Sequence, residues 1–220
     1  MQHNPTKNWG PILILGSLWG FSEAALGMGL RQCASTVSGS VMTGVALFFL
    51  AAAWMLKPRV HSVGIMVLLA SFFKLFDALL LGFPIRHGAI GNPIFAIVME
   101  GAAFLLIVAL IKKTLAAKSV GQGAIGGLSA LAAVNLFPLV RFATGVPACV
   151  MPGTAYPLSL YYAPLAVALS ILTVPLGFWL GARIIAFENR PAVTTLSVLR
   201  WLSPAALVLS LAVLALLRLA

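Results

Sequence analysis

Seven apolar stretches take up most of this chain, near 11–30, 37–56, 62–83, 91–111, 121–143, 162–186 and 199–219. Each is close to the ~20 residues that carry a helix across a ~30 Å hydrocarbon core. The runs are continuous rather than alternating apolar and polar, which argues against a membrane β-barrel. Their breaks are chemically plain. Lys57-Pro58-Arg59 ends the second run, Gly82-Phe83-Pro84 and Gly91-Asn92-Pro93 bracket the third loop, and Lys112, Lys113 and Lys118 close the fourth. Glu188-Asn189-Arg190-Pro191 parts the sixth from the seventh. The chain is 61% hydrophobic and 8% charged, where soluble domains carry about 25% charge. Its mean hydropathy is +1.08. The fold class that follows is all-α: a polytopic integral membrane helix bundle of six to seven spans, forming a single transmembrane domain over 1–220.

A net charge of +10 does not point to nucleic acid here, because lysine and arginine gather in the cytoplasmic loops of membrane proteins. With the N-terminus inside, the inner segments hold nine basic residues: Lys7, Lys57, Arg59, Lys112, Lys113, Lys118, Arg183, Arg190 and Arg200. The outer segments hold three: Arg31, Arg86 and Arg218. The expected placement is the plasma (inner) membrane, N-terminus cytoplasmic and C-terminus outside. The first run continues without a small-residue cleavage site and reads as a permanent helix, not a cleaved leader. The longest outer segment, 144–161, is neutral and proline-rich. It is either an interfacial loop or a lid over the outer face.

Three of the four acidic residues, Glu23, Asp77 and Glu100, lie inside apolar runs, with Lys74 inside one and Arg141 at the margin of another. An ionised group at bilayer depth costs a few kcal/mol or more unless it is paired or lines a wet cavity, so such groups point to function. At ~1.5 Å per residue, Glu23, Lys74 and Glu100 fall roughly 11–14 Å below the outer ends of their helices. Asn135 falls at a similar level; Asp77 and Arg141 are shallower. Lys74 and Asp77, spaced i,i+3, share one side of their helix. Glu23, Lys74, Asp77, Glu100, Asn135 and Arg141 are therefore the candidate substrate-binding residues. The alternative is a set of buried ion pairs, Lys74 with Glu100 and Asp77 with Arg141, that only orders helices. Such pairs are poor stabilisers, since desolvation offsets much of the attraction.

Gly16, Gly20 and Ala24 recur at intervals of four and share a helix face, which lets another helix approach closely. That helix is either one of the chain's own or one of a separate subunit. Cys33 and Cys149 are the only cysteines. Both fall in outer segments, where a disulfide forms in an oxidising compartment unless the two remain reduced thiols. They lack the paired spacing of a zinc site. His3, His61 and His87 lie near span ends, which gives no support to a bis-histidine haem. Ser38-Gly39-Ser40 has no histidine partner at membrane depth. HExxH and Walker motifs do not occur. No cofactor, metal or catalytic residue is expected.

The segment Gly16-Ser17-Leu18-Trp19-Gly20-Phe21-Ser22-Glu23, the small-residue stripe on it, the outward polar site and the long outer loop at 144–161 together resemble the S components of energy-coupling factor transporters. The resemblance covers roughly 10–186; a seventh helix departs from that family's six. It implies a substrate-capture subunit binding a small polar solute, with helix 1 turned to a transmembrane coupling subunit and an ATPase pair supplying energy. Two other readings stay open: a structural or assembly subunit of a larger membrane complex, and an intramembrane enzyme using Glu23 or Glu100 as acid or base.

The topology is directly checkable. On a background with Cys33 and Cys149 replaced by serine, a cysteine introduced within 144–161 should react with an impermeant maleimide from outside, and one introduced near Lys112 should not. The reverse pattern excludes the N-in arrangement.

Overall fold

The computed structural model describes residues 9–26, 36–189 and 193–219. Among them every extended element is a helix: α1 (Gly10–Leu26), α2 (Thr36–Leu56), α3 (Val60–Leu81), α4 (Gly88–Leu110), the short α5 (Lys113–Ala116), α6 (Ser119–Leu136), α7 (Val140–Thr144), α8 (Leu158–Glu188) and α9 (Val193–Leu219). A single 3-10 turn, Phe137–Leu139, joins α6 to α7, so that Ser119–Thr144 acts as one span. Six of these helices are long and apolar enough to cross a membrane, and α1 is a shorter apolar helix of 17 described residues. The protein is thus an integral membrane helix bundle.

Local chemistry sets the ends. α3 stops at Gly82, whose φ of 65° is the left-handed conformation that a residue without Cβ adopts freely. The Gly82 and Phe83 amides then cap the carbonyls of Leu79 and Ala78 at 3.3 and 3.0 Å. α4 begins earlier than the sequence suggests, at Gly88, because the His87 side chain accepts the Ala89 amide at 3.2 Å and caps the helix. Pro93 lies within it, as membrane helices tolerate. α8 likewise starts at Leu158 rather than 162. The stretch before it folds into a tight turn: the Met151 amide donates to the Tyr156 carbonyl at 3.0 Å and the Leu158 amide to the Cys149 carbonyl at 2.8 Å.

The helices form a ring. α1 packs on α3, α3 on α4, α4 on α6, α6 on α8, α8 on α2, and α2 closes on α1. α2 also touches α3, α4 and α6 and is the innermost helix; Ala46, Leu47, Leu50, Ala51, Ala52 and Ala53 on it are all fully buried. α9 lies outside the ring against α1 and α3. Large apolar side chains such as Leu68, Leu79, Leu172 and Leu216 face outward, as suits a molecule whose solvent is lipid.

The tightest seam joins α2 and α8. The Thr173 hydroxyl donates to the Gly44 carbonyl at 2.8 Å. Four residues further on, a Cβ on Gly177 would stand 2.2 Å from the Phe48 carbonyl oxygen, and four further again one on Gly181 would stand 2.7 Å from that of Ala52. The repeat of four on both helices brings backbone onto backbone. Gly126 does the same on α6, where a Cβ would meet the Ser170 carbonyl of α8 at 2.1 Å.

These glycines generate a test. Gly126→Ala and Gly177→Ala must push two backbones apart and should each cost about 1–3 kcal/mol or more. Gly64→Ala on α3, where a Cβ would meet nothing within 4 Å, should be neutral or stabilise by up to about 1 kcal/mol through helix propensity. Thermal melts of the three variants in detergent check the order.

Candidate functional site

Asp77 is the centre of the polar interior. On α3 the i,i+3 spacing sets the Lys74 Nζ 3.3 Å from Asp77 Oδ2. Arg218, in the last turn of α9, donates from Nε to Asp77 Oδ1 and from Nη2 to the Ala24 carbonyl of α1 at 3.3 Å. All three charged side chains are at most 4% exposed. Phe73, Leu214 and Ala24, fully buried, enclose the group, with Phe21, Phe76, Leu80, Leu207 and Leu211 packed around them. One anion between two cations, walled by apolar side chains, therefore ties α1, α3 and α9 together at one end of the bundle.

Glu23 and Glu100 form the second half of the site. Glu23, on α1, is 5% exposed, and its Oε1 accepts the indole N–H of Trp19 at 3.2 Å, one turn back on the same helix. Lys74 lies within Coulombic range of it. Glu100, on α4, is 4% exposed; it lies within Coulombic range of Glu23 and beside the hydroxyl of Thr43 on α2. Tyr162 of α8 is within Coulombic range of Glu100. Its ring lies over Gly39, where a Cβ would come 2.6 Å from Cζ, and the Ser40 hydroxyl donates to its carbonyl at 3.2 Å. Among the described residues neither Glu23 nor Glu100 makes an ion pair within 4.0 Å.

The structure therefore gathers Glu23, Lys74, Asp77 and Glu100 into one polar region and leaves out the other two expected members. Asn135 is exposed and donates to the Leu131 carbonyl of its own helix at 2.7 Å. Arg141 is also exposed and stacks toward the Phe142 ring at 5.6 Å. Its neighbour Val140 is fully buried, and the ~100° step between helical neighbours turns residue 141 outward. The envisaged Asp77–Arg141 and Lys74–Glu100 pairs are not made: Arg218 takes the first place, and Asp77 takes Lys74. In the sequence Arg218 reads as an ordinary outer basic residue, since a lone arginine in a last turn carries no signal of its partner. Thr43 and Tyr162 escape notice for the same reason, being common residue types that only packing brings to a carboxylate.

The small-residue stripe also finds its partners inside the chain. A Cβ on Gly16 would meet Leu69 at 2.5 Å and one on Gly20 would meet Phe73 at 2.5 Å. Ala24 is fully buried beside Leu214. The face expected to allow contact with a coupling subunit is thus taken by α3 and α9, because small residues admit whichever helix is nearest. Cys149 is disulfide-bonded; Cys33, the other cysteine of the sequence, lies outside the described residues.

At the far end of α2, Lys57 is buried, with Nζ 3.8 Å above the Trp9 ring. Burial, and then the neighbouring Arg59, hold its ammonium below the usual lysine value, against the opposing pull of Glu188. No group of three or more His, Cys, Asp or Glu suited to a metal ion occurs among the described residues. No family model, curated protein or solved structure matches this chain.

The two halves of the site respond differently to substitution. Asp77→Asn leaves two buried cations without their anion and should cost about 3–5 kcal/mol. Arg218→Met leaves the Lys74–Asp77 pair intact and should cost clearly less. Melting temperatures of both variants in detergent decide this; equal losses would show that Asp77 acts through Arg218 alone.

Proposed function

We propose that the protein is the substrate-capture subunit of a membrane transporter, binding a small polar solute at the Glu23–Glu100 locus. The observation that carries this reading is a pair of buried carboxylates, on α1 and α4, that have no ion-pair partner among the described residues while Asp77 nearby has two. A group kept at membrane depth without a partner is costly and is retained where a ligand or a wet pathway meets it. Glu23 and Glu100 receive the solute's donors, Thr43 and Tyr162 border it, and the Lys74–Asp77–Arg218 triad fixes the helices that carry Glu23. The likeness of Gly16–Glu23 to S components supports the same assignment. A transmembrane coupling subunit with an ATPase pair is the partner proposed, in the plasma (inner) membrane with the N-terminus cytoplasmic. Such a subunit docks elsewhere than on the Gly16, Gly20 and Ala24 stripe, which the chain's own helices cover.

One observation favours a second reading, a structural or assembly subunit of a larger membrane complex. The triad around Asp77 is buried in an apolar shell and locks three helices, as a scaffold device would.

Purification from native membranes, with mass spectrometry of what accompanies the protein, separates the two. Capture expects a bound small solute that Glu100→Gln loses while the melting temperature in detergent holds or rises. A solute-free protein that co-purifies with a stable set of other membrane subunits, unchanged by Glu100→Gln, supports the structural reading instead.

A further inference from the structure

The triad around Asp77 holds more donors than acceptors. A guanidinium carries five N–H groups and an ammonium three. Arg218 gives Nε to Asp77 Oδ1 and one Nη2 hydrogen to the Ala24 carbonyl, the latter at 3.3 Å. Lys74 donates to Asp77 Oδ2 at 3.3 Å. Arg218 Nη1 has no hydrogen-bond partner among the described residues, although it is sealed from solvent. Neither Glu23 nor Glu100 fills that place, since among the described residues neither carboxyl comes within 4.0 Å of a cationic nitrogen. Whatever Glu23 contributes to the field at Lys74, no acceptor reaches Nη1.

A buried charged donor left without an acceptor costs more than an ordinary lost hydrogen bond. Arg218 does not escape this by turning, because the bonds to Asp77 and Ala24 hold its guanidinium on two sides. Nη1 and the second Nη2 hydrogen then form a free planar fork, the geometry that matches two oxygens of one oxyanion. Position selects the oxyanion. Asp77 lies four residues, about 6 Å, short of the end of α3 at Leu81, and Arg218 is one residue short of the end of α9. The fork therefore sits within roughly one turn of the polar headgroup layer that borders the hydrocarbon core. α9 is the outermost helix, and Leu79 of α3 with Leu216, Leu217 and Leu219 of α9 are exposed at this end. Acyl chains thus have an apolar surface beside the fork.

We propose that the free end of the Arg218 guanidinium is a phosphate site, and that the phosphate is that of a membrane lipid. The phosphate oxygens accept from Nη1 and from the second Nη2 hydrogen, while Asp77 keeps Nε and Lys74. Because Nη1 is covered, the headgroup enters by turning aside leucine and phenylalanine side chains of the surrounding shell. Once seated, it adds a third bond to the arginine that already ties α9 to α1 and α3, so the bound lipid stabilises the bundle at this end. This goes beyond the capture reading and does not rest on it.

The test uses the purified full chain, delipidated in a neutral detergent at constant ionic strength. The probes are dioleoylphosphatidylglycerol, dioleoylglycerol, which has the same chains without the phosphate, and inorganic phosphate. Dioleoylphosphatidylglycerol should raise the melting temperature and stay bound under native mass spectrometry, and dioleoylglycerol should do neither. A rise with inorganic phosphate and none with the phospholipid supports the phosphate site and overturns its lipid source. Arg218→Lys keeps a positive charge beside Asp77 but removes the fork, so it should weaken phospholipid affinity about tenfold or more. Arg183→Lys, the same change at an exposed arginine, should leave that affinity unaltered. Should Arg218→Lys not fold, a phosphatidylglycerol carrying a diazirine near its headgroup serves with the original protein: crosslinks should fall on the last turns of α3 and α9. The inference is overturned if neither phospholipid nor inorganic phosphate stabilises the protein, or if dioleoylglycerol stabilises it equally. It is overturned as well if Arg218→Lys responds as the original does, or if the crosslinks fall elsewhere.

Discussion

Hydrocarbon offers a charged group nothing to bond, so a charge placed at membrane depth must be paired within the protein or reach water or a ligand. Asp77 meets that constraint by accepting from two cations at once. One of them, Lys74, comes from its own helix. The other, Arg218, comes from the far end of the sequence and binds the Ala24 carbonyl as well. The outermost helix of the bundle is thereby fastened to the two that hold Glu23 and Lys74. The C-terminal parts of α1, α3 and α9 thereby meet at the triad.

The second organising element is close backbone packing. Gly177 and Gly181 let α8 lie on the carbonyls of Phe48 and Ala52, and Gly126 lets α6 lie on that of Ser170. In lipid there is little hydrophobic force to press helices together, so van der Waals contact of this kind carries the association. The consequence reaches the site. With α8 drawn onto α2, the Tyr162 ring covers Gly39, and Thr43 of α2 is left facing Glu100 of α4. Glycine spacing in one seam thus decides what surrounds a carboxylate in another.

Part of the site is legible in the chain itself. Glu23, Lys74, Asp77 and Glu100 stand out because each interrupts an apolar run, and the i,i+3 spacing of Lys74 and Asp77 predicts their shared side. Depth alone groups Asn135 and Arg141 with them, and depth says nothing about which way a side chain points around its helix. The buried Val140 settles that direction for Arg141, and the buried Ala133 and Val134 settle it for Asn135. The small-residue stripe on α1 is readable as a contact face, but its occupants are not, since Gly16, Gly20 and Ala24 admit any helix that comes near.

The sequence by itself determined that this is a bundle of membrane-spanning helices, roughly where each helix lies, and which residues are charged at depth. Those properties are local: run length, hydropathy and punctuation by proline, glycine and lysine. Only the tertiary structure decided that Arg218 rather than Arg141 meets Asp77, that Lys74 pairs with Asp77 rather than with Glu100, and that Glu23 and Glu100 are left without an ion pair among the described residues. Those are pairings between helices distant in sequence. They follow from which backbones the glycines allow to touch and from the number of partners that a buried charge demands.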